Sequence, residues 1–152
     1  MSKRPFYAQG LRFSCIRCSS CCRFDPGFVF LTQTDLNALT AALGMAEEAF
    51  IAVYCRWAPP PGAGVFSQLS LKEKSNYDCI FWKDGCTVYN TRPVQCRTFP
   101  FWASIVESKD SWESTARSCP GIGKGTLFDG EYIRAGLKER HSEAVIMKGA
   151  GV

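Results

Sequence analysis

Apolar positions recur at helical spacing in two stretches. Leu36, Leu39 and Leu43 fall on one face of a segment over 35–43. Thr32 or Thr34 stands ready to cap its start, and Gly44 to stop it. Phe50, Val53 and Tyr54 make a second stripe over 46–54, behind Glu47 and Glu48, whose charges suit a helix N-terminus. Elsewhere the period shortens. Phe66–Leu71 alternates with Ser67, Gln68 and Ser70 and reads as a strand, and Phe28-Val29-Phe30-Leu31 is a short run of strand formers. Cys79-Ile80-Phe81-Trp82 and Thr87-Val88-Tyr89 flank an Asp84-Gly85 turn, which predicts a hairpin able to bring Cys79 and Cys86 together. Asn90 or Thr91 can cap a short helix with Pro93 in its first turn, carrying Cys96 and Arg97 until Pro100. A last helix is expected over 131–148. Pro59-Pro60-Pro61-Gly62-Ala63-Gly64 and the glycine-rich stretch 119–125 are loops. Short helices with a small antiparallel sheet make the expected class α+β.

Composition adds bounds. The chain has 152 residues, 46% hydrophobic and 21% charged, enough to bury roughly 68–70% of its unfolded surface in one domain. Residues 1–12 are expected as an N-terminal arm, 13–125 as the main domain and 126–152 as a C-terminal helical extension packed on it. No run approaches the ~18 apolar residues of a membrane span. The basic start at Lys3 and Arg4 leads into no apolar signal core. The expectation is a cytoplasmic protein with no membrane partner.

Nine cysteines change the picture. An odd count in a chain of this size without an export signal argues against a disulfide framework and for metal ligation. With His141 as the single histidine, the donor set is thiolate-rich. That favours zinc or iron–sulfur over non-haem iron or copper. The net charge of +4 reads the same way. Eight thiolates around two doubly charged centres would bring it to zero, so basicity here is not a sign of nucleic acid, and no dense Lys/Arg run is present. The strongest signal is Cys15-x-x-Cys18-x-x-Cys21-Cys22, in which closely spaced cysteines aim several sulfurs at one centre, as in bacterial ferredoxins. Neighbouring side chains in extended backbone point apart, so Cys21 and Cys22 can serve different centres. Cys79, Cys86, Cys96 and Cys119 complete a set of eight, which fits two Cys₄ sites or one such site plus structural thiols; spacing does not assign partners. Cys55, at the end of a helical stripe, is expected in the core.

These residues carry a resemblance. Cys15-x-x-Cys18-x-x-Cys21-Cys22-Arg23, Leu31-Thr32-x-x-Asp35-Leu36, Cys79-Ile80-Phe81, Cys86-Thr87-Val88-Tyr89-x-x-Arg92-Pro93-x-x-Cys96-Arg97-x-Phe99-Pro100-Phe101 and Cys119-Pro120-Gly121-Ile122-Gly123-x-Gly125 together resemble the YkgJ-like cysteine-cluster family, described as CxxCxxCC zinc- or iron-chelating domains. The resemblance covers positions 13–125 and implies a cysteine-bound metal or iron–sulfur centre. Flagellin lysine methylases carry a similar module; no added methylase domain is expected here, and their activity is not carried over.

Arg23, Arg92 and Arg97 lie near candidate ligands and are placed to donate charge-assisted hydrogen bonds to thiolates or sulfides. The N–H groups of Gly121 and Gly123 are candidates to approach anionic sulfur. Gly121–Thr126 lacks the spacing of a phosphate loop. No Ser-His-Asp set, Cys-His pair or carboxylate pair marks a catalytic centre. The expected function is a [4Fe–4S] protein with an electron-transfer or accessory redox role, meeting a protein redox or client partner. The alternative is a Zn²⁺–Cys₄ structural or interaction module.

Overall fold

A computed structural model describes residues 3–16, 27–60, 62 and 64–149. Its elements, in chain order, are β1 (Leu11–Phe13), α1 (Gln33–Leu43), α2 (Glu47–Tyr54), β2 (Cys55–Ala58), β3 (Phe66–Leu71), α3 (Val94–Thr98), α4 (Ala103–Val106), α5 (Lys109–Ala116), β4 (Thr126–Phe128), α6 (Gly130–His141) and β5 (Met147–Gly149), with 3-10 turns at Phe6–Gln9 and Tyr89–Thr91. The class is α+β, and its strand pairs are antiparallel. The chain divides into two compact units, one of Met1–Cys21 with Thr98–Ser142 and one of Cys22–Arg97 with Glu143–Val152.

In the unit formed by Cys22–Arg97 and Glu143–Val152, local chemistry sets the helix limits. The Thr32 side chain accepts from the Asp35 N–H while the Asp35 carboxylate accepts from the Thr32 N–H, a reciprocal cap at the start of α1. Gly44, at φ 62°, ends the helix in the left-handed conformation. Glu47 and Glu48 occupy the first turn of α2, which hands over directly to β2 at Cys55. Strands run in the order β2–β3–β5, with Cys55 opposite Leu71 and Gln68 opposite Met147. Leu31, Leu36, Leu39, Phe50 and Leu69 are fully buried at the centre of this unit, each contributing about 1.5–3 kcal/mol through burial. Phe28–Leu31, expected as a strand, runs beside β3: Phe30 bridges Ser70, and the Leu31 and Leu71 N–H groups donate to Leu69 and Val29.

Two expectations change here. The hairpin shrinks to a tight turn, with Trp82 bridging Cys86 and the Thr87 N–H donating to Phe81. Cys79 bridges Glu73, and the backbone ladder of the Asp84-Gly85 turn pairs Cys86 with Trp82. The final helix stops at His141, because Ile146 joins the sheet: its N–H donates to Leu31 and its carbonyl accepts from Leu69. Long-range pairing outweighs the helical pattern over 142–148.

In the unit formed by Met1–Cys21 and Thr98–Ser142, the expected N-terminal arm is a structural part. A 3-10 turn at Phe6–Gln9 leads into β1, which pairs with β4 so that Leu11 faces Phe128 and Phe13 faces Thr126. Ser108 caps α5 and Asp129 caps α6, whose Lys138, Arg140 and His141 complement the negative helix end. Leu11, Phe101, Ile105, Val106, Trp112, Ile122 and Ile133 form its own core. The sequence read as a C-terminal extension supplies β4 and α6 to this unit and β5 to the other. Among the described residues no single helix is long and apolar enough to cross a membrane.

Candidate metal centre

Five of the eight candidate cysteines are described. Cys15 is exposed, while Cys79, Cys86, Cys96 and Cys119 are half-buried. Cys18, Cys21, Cys22 and Arg23 lie outside the described residues. Cys55 takes the core position expected of it, 5% exposed opposite Leu71. Burial pushes its thiol up to about 11, against a smaller downward pull from Lys72. A thiol so disfavoured as thiolate is a poor ligand.

Cys15 and Cys119 come from the two chain segments of their unit to one backbone pairing. Phe13 bridges Ile122, and the Ser14 N–H donates to the Gly121 carbonyl at 3.1 Å. The Ile122 N–H turns back to the Cys119 carbonyl at 3.1 Å, folding Cys119 toward the same pairing. Ser14 directly precedes Cys15, so both cysteines lie within two residues of a single backbone hydrogen bond. The Gly123 N–H, expected to serve sulfur, donates instead to Arg12 at 2.8 Å, and the Gly125 carbonyl accepts from the Arg12 guanidinium at 3.0 Å.

In the other unit, polar clamps that local sequence does not reveal surround the carriers of Cys79 and Cys96. Asp35, 3% exposed, accepts the Val94 N–H at 2.9 Å, so the residue that caps α1 also caps the helix bearing Cys96. Beside Cys96, the Gln95 amide accepts from the Phe30 N–H at 3.0 Å and donates to the Phe28 carbonyl at 2.8 Å. Glu73, opposite Cys79, accepts from the Gly27 N–H and pairs with Arg56, which donates to the Gly27 carbonyl at 2.6 Å. Gly27–Phe30 is thus held by a neighbour of Cys96 and by the residue facing Cys79. Cys86 packs on the core and borders a shallow pocket shared with Ala42, Leu43 and Tyr89.

Two of the three arginines reach backbone carbonyls. Arg92 Nε donates to the Tyr89 carbonyl at 2.9 Å and its guanidinium stacks 3.9 Å from the Tyr89 ring centroid, while Arg97 Nε donates to the Arg92 carbonyl at 3.1 Å. These contacts rigidify the turn between Cys86 and Cys96.

The donor chemistry suits a soft or borderline metal. The candidates are sulfur alone, and His141 is exposed at the end of α6. Among the described residues no group of three or more His, Cys, Asp or Glu side chains is arranged to hold a metal ion. Cys15 with Cys119 in one unit, and Cys79, Cys86 and Cys96 in the other, are the described part of the set.

No solved structure matches the chain. A sequence model of the CxxCxxCC family, described as a "putative zinc- or iron-chelating domain", matches residues 14–120, from the residue before Cys15 to the one after Cys119. The chain belongs to the CxxCxxCC family.

Proposed function

We propose that this protein holds an iron–sulfur centre of the [4Fe–4S] type through its thiolates and serves electron transfer or an accessory redox role. One observation carries the reading. Two cysteines more than a hundred residues apart in sequence are brought to one backbone pairing, Ser14 with Gly121, while the ninth cysteine is withdrawn into the core. Shared burial of small apolar residues would not make that distinction, because Cys15 is exposed. The run of cysteines at two-residue gaps supports a cluster over the separated pairs common in zinc knuckles. When bound, such a centre supplies one-electron chemistry. The polypeptide's part is to present Cys15, Cys18, Cys21, Cys22, Cys79, Cys86, Cys96 and Cys119 as thiolates and to fix their carriers. Redox activity implies a protein partner to give or take the electron.

The family description favours keeping zinc as a second reading, with the same cysteines in Cys₄ coordination. Anaerobic purification separates the two. An iron–sulfur protein is brown, absorbs near ~400 nm and releases acid-labile sulfide. A colourless protein with stoichiometric zinc and no sulfide overturns the redox reading, because zinc is d¹⁰ and has no such absorption.

A further inference from the structure

We propose that Gly121 and Gly125 are positioning residues of a clamp that closes on Ser14 and thereby sends Cys15 and Cys119 into one and the same thiolate centre, an inference that rests on the cysteine–metal reading above. The clamp is a matter of space. A Cβ built on Gly121 would lie 1.9 Å from the Ser14 carbonyl oxygen, a backbone atom that cannot give way cheaply. A Cβ on Gly125 would lie 2.4 Å from the Ser14 Cβ and 3.0 Å from its hydroxyl. Ser14 is therefore gripped from two sides by glycines that follow Cys119 by two and six residues.

Three hydrogen bonds lock the grip. Ser14 N–H donates to Gly121, Gly123 N–H donates to Arg12, and the Arg12 guanidinium donates to the Gly125 carbonyl. On the inner side, Phe13 and Cys119 both pack against the core that contains Ile122. Such contact fixes the backbone that leads into Cys15 and the backbone that leaves Cys119. That is what a metal site asks of its surroundings: ligands held in place before the metal arrives. Simple turn formation explains Gly123 and Gly125 by their positive φ. It does not explain Gly121, whose φ is ordinary and whose missing side chain is needed only because Ser14 lies against it.

The test uses full-length protein stripped of metal under anaerobic conditions and titrated with cobalt(II), whose thiolate absorption counts sulfur bonds. Gly125→Ala should weaken retention of the centre about tenfold to a hundredfold, the range for residues that orient ligands. Ser14→Gly added to Gly125→Ala removes the overlapping Cβ and should restore most of that loss. Gly44→Ala imposes the same left-handed strain at φ 62° in open space and should leave cobalt binding unchanged. Far-UV circular dichroism accompanies each variant. Should Gly125→Ala fail to fold, Cys15→Ser and Cys119→Ser decide the matter: the double variant should lose no more metal than either single one, because both sulfurs serve one centre. Additive losses from those two variants, or full cobalt retention by folded Gly125→Ala, overturn the clamp while leaving the family's metal binding in place. Wild-type protein that takes up neither cobalt nor, when supplied together, iron and sulfide overturns the metal reading itself, and the clamp with it.

Discussion

The Oδ1 atom of Asp35 accepts the N–H of Val94 at 2.9 Å across 59 residues of sequence, while Oδ2 accepts from Thr32 at 3.1 Å. One buried carboxylate thus closes the N-termini of two helices, and the second of them carries Cys96. Asp35→Ala removes the carboxylate that accepts from two buried N–H groups. The expected cost is about 1–3 kcal/mol for each, read as a lowered urea midpoint with little change in slope. Metal content should fall with it, because the start of α3 is no longer fixed.

Gln95 makes a sharper test of how the carriers are held. Its amide uses one end on the Phe30 N–H and the other on the Phe28 carbonyl. Gln95→Glu keeps the acceptor but sets a carboxylate against the Phe28 carbonyl, whereas Gln95→Ala abandons both groups. Both variants should melt below wild type, Gln95→Ala by more, because it also removes the acceptor of the half-buried Phe30 N–H. Faster amide hydrogen exchange at Phe30 should accompany the loss.

Cys55 should behave as a core residue and nothing more. Cys55→Ser is expected to leave metal content intact and to lower stability, whereas Cys96→Ser should remove metal. Its thiol is raised from 9.0 to about 11 in the folded chain by burial, so protonation favours the folded state. The contribution is complete below pH 9.0, declines as the unfolded chain begins to lose the proton, and is gone above about pH 11. The melting-temperature difference between wild type and Cys55→Ala should shrink across that alkaline window and stay constant from pH 6 to 8.

Glu143 gives the opposite sign. The Thr34 hydroxyl above all, and then the Thr34 N–H, hold its carboxyl below the usual range, outweighing desolvation. A depressed carboxyl stabilises the folded state above its ordinary titration range, and the gain disappears as pH falls through the depressed value. Glu143→Gln should therefore melt below wild type at pH 7 and converge with it in acid. A difference that persists unchanged into acid would contradict this.

The parts of the fold legible in sequence were those governed by neighbours. Thr32, Asp35 and Gly44 bound α1 through contacts within a turn, and Phe66–Leu71 forms β3 with the limits its alternation implies. The parts that were not legible depend on distant partners. Nothing local distinguishes Asp35 as the cap of α3, or Gln95 as a brace for Phe28 and Phe30, because those bonds span 59 to 67 residues. Ile146 leaves its expected helix for the same reason, drawn into pairing with Leu31 and Leu69. At the candidate centre, the core role of Cys55 is legible directly, because it ends a helical apolar stripe. Local sequence offers the glycines after Cys119 as N–H donors to sulfur, whereas the close approach of Gly121 and Gly125 to Ser14 exists only in the folded backbone.

The most direct measurement of the central claim is the native mass of the intact protein, isolated anaerobically and sprayed from volatile buffer without acid. The account predicts a mass above that of the bare polypeptide by an inorganic centre, iron with sulfide on the first reading or zinc on the second, lost when the sample is acidified. A bare polypeptide mass, unchanged after anaerobic isolation and after incubation with iron and sulfide or with zinc, would contradict it.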